Sequence, residues 1–229
     1  MDSLPSTIAI DGPAASGKST IGKILAEQLD YLYLDTGAMY RAVTLLALEA
    51  GIDPDNGPAV AALAATPIEI HPPGNAYDSR QYTVFIHGRD ITWALRSPTV
   101  DEHVSAVAAH PEVRRLLVEQ QRRIGHRGRV VMVGRDIGTV VVPDADLKIY
   151  LEASVEERAR RRCEERQARG EDCDYEEILA DMRERDRRDA NRATGPMRPA
   201  GDAYRIDSTG LTPDEVVDRI LKLMATEEA

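Results

Sequence analysis

The stretch GPAASGKST, residues 12–20, constrains the fold of this chain more than any other feature of its sequence. It matches the pattern G-x-x-x-x-G-K-[ST], follows a short apolar run, TIAID, and precedes a segment with helical periodicity. Gly12 and Gly17 can adopt backbone angles that are closed to other residues. Such a loop turns successive N–H groups toward one point at the start of a helix, where they hold phosphate groups. The motif therefore predicts a strand, a phosphate-binding loop and a helix.

Four further apolar runs predict the other strands of the same sheet. They are YLYLD at 31–35, VVMVG at 130–134, LKIYL at 147–151 and AYRID at 203–207. Helical segments follow most of these runs, including residues 18–28 and 36–50, and such alternation is typical of a parallel sheet. We therefore expect an α/β fold whose five-stranded, largely parallel sheet is flanked by helices.

Residues 66–96 differ from the rest of the chain in composition and in hydrophobic pattern. They are interrupted by prolines and glycines, and the run YTVFIH alternates apolar and polar positions. This pattern predicts a small antiparallel insert, after which a helical stretch, roughly 97–126, returns the chain to the sheet. Ser154 and Thr212 each precede a Glu by three residues, and this spacing predicts two further helix starts.

Composition and charge limit the class of protein. Hydrophobic residues make up 42% of the chain and charged residues 30%, which is typical of a soluble globular protein. No apolar run approaches the ~20 residues of a membrane-spanning helix, and the start, MDSLPSTIAI, lacks the basic region of a secretory signal. The net charge of −10 disfavours a nucleic-acid partner. We expect a cytoplasmic protein that binds neither membranes nor nucleic acid.

The two cysteines of the chain, Cys163 and Cys173, lie in a charged region and lack CxxC spacing. This pattern predicts free thiols in a reducing compartment, consistent with a cytoplasmic protein. A disulfide between the two is the alternative.

Arginine is concentrated in one part of this acidic chain. Residues 158–198 hold 12 arginines, whereas the whole chain has four lysines. A guanidinium group grips phosphate oxygens in pairs, so the segment suggests local phosphate binding. The alternative for most of these arginines is a solvated helix in which Arg and Glu pair four residues apart.

The phosphate loop predicts a nucleotide triphosphate ligand but not what happens to it. Lys18 is expected on the solvent side of the loop, in reach of the β and γ phosphates, and Ser19 is expected to place its hydroxyl on Mg²⁺. A GTPase would need an Asn-Lys-x-Asp motif to read guanine, and the chain has none. A motor or helicase usually needs a longer chain.

Three other stretches carry polar residues at predicted strand ends, where ligands bind in open α/β sheets. LDTGAMYR, 34–41, offers Thr36 and Arg41 to one phosphate, although Arg41 alone could be a surface helix residue. VGRDIGT, 133–139, places Arg135 and Asp136 directly after an apolar strand, where a charged pair is seldom structural. These stretches predict a second, anionic substrate next to the nucleotide.

The third stretch, RDRRDANR at 185–192, would present two arginines and one carboxylate on one helix face. Arg185, Asp189 and Arg192 follow each other at helical spacing. An ion pair with a free arginine beside it would explain the same spacing without any ligand.

Taken together, GPAASGKST, LDTGAMYR, GRDIGTVVVPDA and ERDRRDANR closely resemble the bacterial cytidylate kinases, over nearly the whole chain from Thr7 to about Met224. The loop is generic to nucleoside monophosphate kinases, whereas LDTGAMYR and GRDIGTVV are more specific. The resemblance implies transfer of phosphate from ATP, with Mg²⁺, to CMP or dCMP. It also implies a phosphate-loop kinase core (1–65 and 127–229), a helical lid within about 154–195, and an acceptor-binding insert (66–126). We expect a monomer.

The resemblance also assigns roles to residues. ATP would be bound by Gly12, Pro13, Ala14, Ala15, Ser16, Gly17, Lys18, Ser19 and Thr20 of the loop and by Arg158 and Arg162 of the lid. The acceptor phosphate would be held by Thr36, Arg41, Arg135 and Arg192. Arg185 and Asp189 would meet the sugar, and Ser105, Arg114 and Asp136 would read the base. Lys18, Arg135, Arg185 and Arg192 would act in catalysis, with Ser19 as the metal ligand.

Two other classes of function stay open from sequence alone. Another small kinase of the same fold, such as an adenylate or shikimate kinase, would use the same loop with a different acceptor. A nucleotide-dependent switch that acts on a partner protein would hydrolyse its nucleotide slowly, without any acceptor.

Overall fold

Five parallel strands form the main sheet of the computed structural model, which describes residues 4–73, 78, 80, 82–168 and 170–226. The strands are β1 (Thr7–Asp11), β2 (Leu32–Asp35), β6 (Val130–Gly134), β7 (Leu147–Glu152) and β8 (Tyr204–Asp207). Their order across the sheet is β2-β6-β1-β7-β8, and every pairing is parallel. The predicted five-stranded parallel sheet is confirmed.

Helices cover both faces of this sheet, because its central strands are apolar along their whole length. The helices are α1 (Lys18–Leu29), α2 (Thr36–Glu49), α3 (Gly57–Ala64), α4 (Pro98–Val107), α5 (Pro111–Gly125), α6 (Val155–Ala168), α7 (Tyr175–Ala190) and α8 (Pro213–Thr226). Every residue of β1 and β6 is buried. None of the helices in the described part of the chain is both long and apolar enough to cross a membrane.

The parallel arrangement brings the carboxyl ends of all five strands to one edge. In the register of the sheet, Asp11 lies opposite Gly134 on one side and Tyr150 on the other. The phosphate loop follows β1, and Arg135 and Asp136 follow β6, so these two segments meet at neighbouring strand ends. This edge is where ligands bind in open α/β sheets.

A second, antiparallel sheet forms the predicted insert. It consists of β3 (Glu69–His71), β4 (Thr83–Ile86) and β5 (Arg89–Asp90), in that order. Residues 74–77, 79 and 81 of the insert lie outside the described residues. Buried side chains of the insert belong to the same apolar cluster as those of the main sheet, and the division of the chain into core and insert stays a prediction.

The prediction of one helical stretch over 97–126 is wrong in its continuity. Residues 108–110 separate α4 from α5, and His110 before the second helix is extended, with φ −70° and ψ 119°. Proline disfavours helical angles in the residue that precedes it and is well suited to the first position of a helix. Pro111 therefore ends one helix and begins the next.

Helices α6 and α7, which lie in the segment predicted to be a lid, pack against each other. A disulfide joins Cys163 of α6 to Cys173, just before α7, with their Cα atoms 5.5 Å apart. The expectation of free thiols is therefore wrong. The two cysteines are brought together by the packing of two helices, and spacing along the chain does not report such packing.

The two predicted capping residues lie at helix starts. Ser154 Oγ accepts a hydrogen bond from the backbone N–H of Glu157 at 3.2 Å at the start of α6. Thr212 Oγ1 accepts one from the N–H of Glu215 at 3.3 Å, and the Glu215 carboxylate in turn accepts from the Thr212 N–H at 2.8 Å. The second helix start, of α8, thus has a complete capping box.

Candidate active site

The phosphate loop has the backbone conformation that its glycines predict. Gly12 has φ 146° and Gly17 has φ 95°, both in the region that favours glycine. A Cβ atom on Gly12 would overlap the carbonyl oxygen of Leu151 in β7, so the close approach of the two strands also requires glycine there. Gly17 is the residue before α1, and the loop therefore opens onto the N-terminus of that helix.

Lys18 begins α1 and is buried, with only 5% of its surface exposed, so the expectation of a solvent-side lysine is wrong. Its ammonium group donates to the carbonyl of Pro13 and to Ser16 Oγ, the latter at 3.3 Å. Burial lowers the pKa of Lys18 well below its usual range, and the nearby Arg135 lowers it further. Among the described residues no carboxylate is hydrogen-bonded to this buried cation, and such a cation is well placed to receive an anionic phosphate.

Ser19 and Thr20 are exposed in the first turn of α1, directly beside Lys18. The described residues contain no group of three His, Cys, Asp or Glu side chains that would hold a metal ion by themselves. Mg²⁺ in kinases is usually held by one or two protein oxygens together with substrate phosphates and water. The exposed hydroxyl of Ser19 fits that kind of site.

Two lid arginines contact the phosphate loop or its surroundings. Arg158 is 4% exposed, donates to the carbonyl of Ala14 at 3.3 Å and forms an ion pair with Asp186 of α7 at 2.6 Å. Arg161 donates to the carbonyl of Ser208 at 2.7 Å, and Ser208 Oγ in turn donates to the carbonyl of Ser16 at 3.1 Å. Helix α6 therefore contacts the phosphate loop, directly through Arg158 and by way of Ser208 from Arg161.

Arg162 lies toward the other side of the cleft. Its guanidinium is 3.7 Å from a carboxylate oxygen of Asp101 in α4 and 3.2 Å from Glu165 in its own helix. The same Asp101 accepts a hydrogen bond from Arg41 at 2.5 Å. Asp101 thus connects the lid with α2, which carries the predicted acceptor residues.

The predicted acceptor residues that follow β6 and that lie at or just beyond the end of α7 meet around one carboxylate. Asp189 is 1% exposed, accepts from Arg135 Nε at 3.0 Å and is also hydrogen-bonded to Arg192. Burial opposes ionisation of Asp189, but the neighbouring arginines lower its pKa below the usual value. Helix α7 ends at Ala190, so Arg192 reaches Asp189 from beyond the helix end and not from its face. The predicted grouping of these residues is nevertheless present.

Arg185 is the least compensated cation of this cluster. Its Nε atom is buried and has no hydrogen-bond partner in the described part of the chain. Burial lowers the pKa of Arg185 to about 10, and the nearby Arg135 contributes in the same direction. A buried donor without a partner is costly, and an anionic ligand placed between Arg135 and Arg185 would satisfy it.

Thr36 and Arg41 lie on the first turns of α2, beside the end of β6. Thr36 is 4% exposed, and its hydroxyl donates to the carbonyl of Val133 at 2.9 Å. Arg41 donates to the carbonyl of Leu95 at 3.2 Å as well as to Asp101. The Asp35 side chain accepts from the Gly37 N–H at 2.9 Å, and this cap fixes the start of the helix.

Two of the three predicted base-reading residues form a buried ion pair. Arg114 of α5 and Asp136 are 3% and 5% exposed and are hydrogen-bonded to each other. The guanidinium carbon of Arg114 also lies 5.7 Å from the ring centre of Tyr40. Gly195 covers the pair, since a Cβ atom there would overlap both side chains. Ser105 is half-buried on α4.

Sequence reasoning missed several residues that the fold brings to this cleft. They are Tyr40, Asp101, Arg161 and Asp186. Asp186 and Asp101 contact arginines of other helices, and no local spacing reports contacts between separate helices. Arg161 could have been found, because it lies between the two lid arginines that were predicted.

Comparisons with known proteins agree on one family. A family model described as cytidylate kinase matches residues 8–226. The curated cytidylate kinase of Roseiflexus castenholzii is 53% identical over 224 residues, covering 97% of this chain and 95% of that protein. That of Chloroflexus aggregans is 54% identical over 226 residues, covering 98% and 96%. A gluconokinase structure from Sinorhizobium meliloti shares the fold at 15% identity, with a TM-score of 0.50 over 98% of this chain and 94% of that one.

Proposed function

The chain belongs to the cytidylate kinase family, and on that premise we propose that it transfers the terminal phosphoryl group of ATP to CMP and dCMP, giving CDP and dCDP. The buried Nε of Arg185, which has no hydrogen-bond partner among the described residues and lies near Arg135, carries the proposal, because it marks a place for an anion next to the phosphate loop. Phosphoryl transfer needs two anionic substrates to be brought together and held in line.

On the donor side, the loop amides would hold the ATP phosphates and Lys18 would neutralise the charge that moves between them. Arg158 would approach the triphosphate from the lid, since it is already hydrogen-bonded to the loop. Mg²⁺ would be held by Ser19 together with ATP phosphates and water, and would supply further charge neutralisation. Removal of Mg²⁺ by a chelator should abolish transfer.

On the acceptor side, Thr36, Arg41, Arg135 and Arg192 would hold the phosphate of CMP. Arg135 uses its Nε for Asp189 and makes a weaker contact from Nη1 to the Gly134 carbonyl at 3.4 Å. An arginine has five N–H donors, so further donors remain for a phosphate. Asp189 would then both orient these arginines and accept a hydrogen bond from the sugar, beside Arg185.

The base site follows from the hydrogen-bonding groups of cytosine, which offers an amine at N4 and acceptors at N3 and O2. Asp136 would accept from N4, and Arg114 and Ser105 would donate to the other two positions. Uracil presents a carbonyl where cytosine has its amine. A site with buried polar groups rejects an analogue that leaves them unpaired, and we expect a strong preference for CMP over UMP.

The deciding experiment is an ATP-dependent assay with CMP, dCMP, UMP, AMP, GMP and shikimate side by side. We expect the highest kcat/KM with CMP and dCMP. A preference for AMP or shikimate would assign the chain to another small kinase. Slow ATP or GTP hydrolysis that no acceptor accelerates would instead indicate a nucleotide switch. We further propose a cytoplasmic, monomeric enzyme, which fractionation and sedimentation would test.

A further inference from the structure

The carboxylate of Asp11 connects the two halves of the cleft. Asp11 is the last residue of β1, directly before Gly12 of the phosphate loop, and is 4% exposed. Its Oδ1 accepts the backbone N–H of Ile137 at 2.7 Å, and its Oδ2 accepts that of Gly138 at 2.8 Å. Both donors belong to a single helical turn, Ile137–Val141, that follows Arg135 and Asp136.

These two hydrogen bonds link two segments that are far apart in sequence. One segment would bind the phosphate donor and the other the phosphate acceptor. On the donor side, the main chain passes from Asp11 straight into Gly12, whose position is fixed by its close approach to Leu151. On the acceptor side, the turn that donates the two N–H groups follows the proposed phosphate-binding and base-reading residues without a gap. A displacement of the turn relative to β1 would therefore displace Arg135 relative to the loop.

We propose that Asp11 is a positioning residue, whose carboxylate holds the phosphate loop and the Arg135–Asp136 turn in the register needed for in-line transfer. This proposal rests on the function proposed above. In this role Asp11 acts through the two segments that its hydrogen bonds join. Effective molarity depends steeply on such alignment, and a misplacement of about 1 Å can cost on the order of 10²-fold in rate.

The proposal needs both carboxylate oxygens to be acceptors. In Asp11→Asn, one oxygen becomes an NH₂ group that faces a backbone N–H, so one of the two hydrogen bonds is lost to donor–donor repulsion. The turn can then move while the strand order stays intact. Protonation of Asp11 in the wild-type enzyme has the same effect, because it converts one acceptor oxygen into a hydroxyl donor.

The surroundings of Asp11 bring that protonation into an accessible pH range. Burial raises the pKa of Asp11 to about 6, and the negative charge of Asp136 acts in the same direction. The two backbone hydrogen bonds and the positive charge of Lys18 lower this pKa and offset part of the rise. Tyr150 of the adjacent strand also lies in its field, and the stem of Lys148 packs against the same glycine, Gly138, that Asp11 holds. The carboxylate is thus ionised, with both acceptors available, above that pKa.

The test compares Asp11→Asn with Asp146→Asn. Asp146 also accepts a backbone N–H from β1, that of Thr7 at 2.9 Å, but at the opposite end of the strand. For Asp11→Asn we expect kcat to fall roughly 10- to 100-fold with KM for ATP and CMP changed less than about threefold. Because donor and acceptor are misaligned, ADP formed per CDP should rise above its wild-type ratio of one. Asp146→Asn should leave both quantities unchanged.

The pH profile provides a second readout. The ratio of wild-type to Asp11→Asn kcat cancels the titration of the CMP phosphate, whose second pKa is also about 6. That ratio of kcat values should be constant at alkaline pH and fall toward one as Asp11 becomes protonated in the wild-type enzyme, at a pH of about 6 or somewhat above. The midpoint can lie above 6 because the negative charge of bound phosphates raises the pKa of a nearby carboxyl group. A pH-independent ratio would overturn the proposal. So would a kcat loss that only tracks the folded fraction while ADP per CDP stays at one.

Two further measurements separate a failure of the proposed role of Asp11 from misfolding of the variant and from a failure of the proposed function. If Asp11→Asn does not fold, ADP per CDP is measured on the wild-type enzyme between about pH 8 and pH 5: a rise on acidification supports the role, and a constant value overturns it. Arg135→Ala tests the proposed function itself. An active Arg135→Ala enzyme would refute the acceptor site, whereas an inactive one beside a wild-type-like Asp11→Asn would refute the role of Asp11 alone.

Discussion

The proposed donor side of the cleft is centred on one continuous stretch, residues 12–20, with Arg158 of α6 beside it. The proposed acceptor side is instead assembled from α2, α4, α5, the end of β6 and the end of α7. The two sides also recognise phosphate by different groups. In the proposed complex the loop would bind phosphate mainly through backbone amides and Lys18, while the acceptor side would use arginine side chains that are paired with Asp101, Asp136 and Asp189. The donor side should therefore tolerate most side-chain changes, and the acceptor side should not.

The largest expected effect concerns Lys18, the buried lysine of the phosphate loop. Lys18→Ala should lower kcat by about 10²-fold or more, because the transition state loses a buried positive charge. The variant should fold at least as well as the wild type, since it removes a desolvated cation. Lys23→Ala, on the exposed face of α1 next to Glu27, is the matched control. Near-wild-type turnover in folded Lys18→Ala would refute the assignment of the loop.

A smaller but broader loss is expected where several arginines share one carboxylate. Asp189→Ala removes the partner of Arg135 and Arg192, and kcat/KM for CMP should fall at least about 10-fold, as for a lost hydrogen bond to a charged group. Both kcat and KM should change, because the sugar and the arginines set the line of attack. Asp181→Ala, exposed on the same helix, is the control. Unchanged kinetics with both CMP and dCMP would remove Asp189 from the site.

The proposed base site allows a test of the preference for CMP over UMP, whereas the preceding predictions concern the loss of activity. Asp136→Asn can donate as well as accept, so it should narrow the preference for CMP over UMP, mainly through lower kcat/KM for CMP. Since each correct hydrogen bond at a buried site contributes roughly 1–3 kcal/mol, we expect the ratio to fall by about 10-fold or more. A constant ratio with lower activity would show that Asp136 does not read the base, and the reading would then rest on Arg114 and Ser105.

The contrast between the two sides also explains how far sequence reasoning reached. The strand at 130–134 was predicted at its observed bounds, and the loop was placed correctly between β1 and α1, because both signals are local. The break between α4 and α5 was missed although Pro111 marks it, since the helical periodicity continues on both sides of the break. The insert was predicted from its proline and glycine content and is confirmed as an antiparallel sheet.

Within the site, the residues that a motif contains were predictable, and the contacts between motifs were not. Arg158 and Asp186 are 28 residues apart and meet only because α6 packs on α7. The same packing pairs Cys163 with Cys173. The burial of Lys18, which is 5% exposed, was likewise not predicted, because a loop motif does not describe how the loop packs in the fold. Tertiary packing thus decides which arginines and lysines are paired with a carboxylate. The two sides of the cleft differ in this pairing, because most of the acceptor-side arginines have carboxylate partners and Lys18 is hydrogen-bonded to the loop itself.

The smallest expected effect concerns Arg162, which lies between the two sides. Its guanidinium is about one-third exposed and meets Asp101 at 3.7 Å, a geometry in which an ion pair contributes ~0–1 kcal/mol. If Arg162 closes over ATP, Arg162→Ala should lower kcat and raise KM for ATP by a few-fold each, within about fivefold. CMP affinity of the free enzyme, measured by calorimetry, should barely change. Arg160→Ala, which removes an exposed guanidinium paired with Glu157 and Glu164 of its own helix, should change none of these quantities. A large loss of CMP affinity in Arg162→Ala would instead place this arginine on the acceptor side, with Asp101 as its anchor, and unchanged kinetics would make it a surface residue.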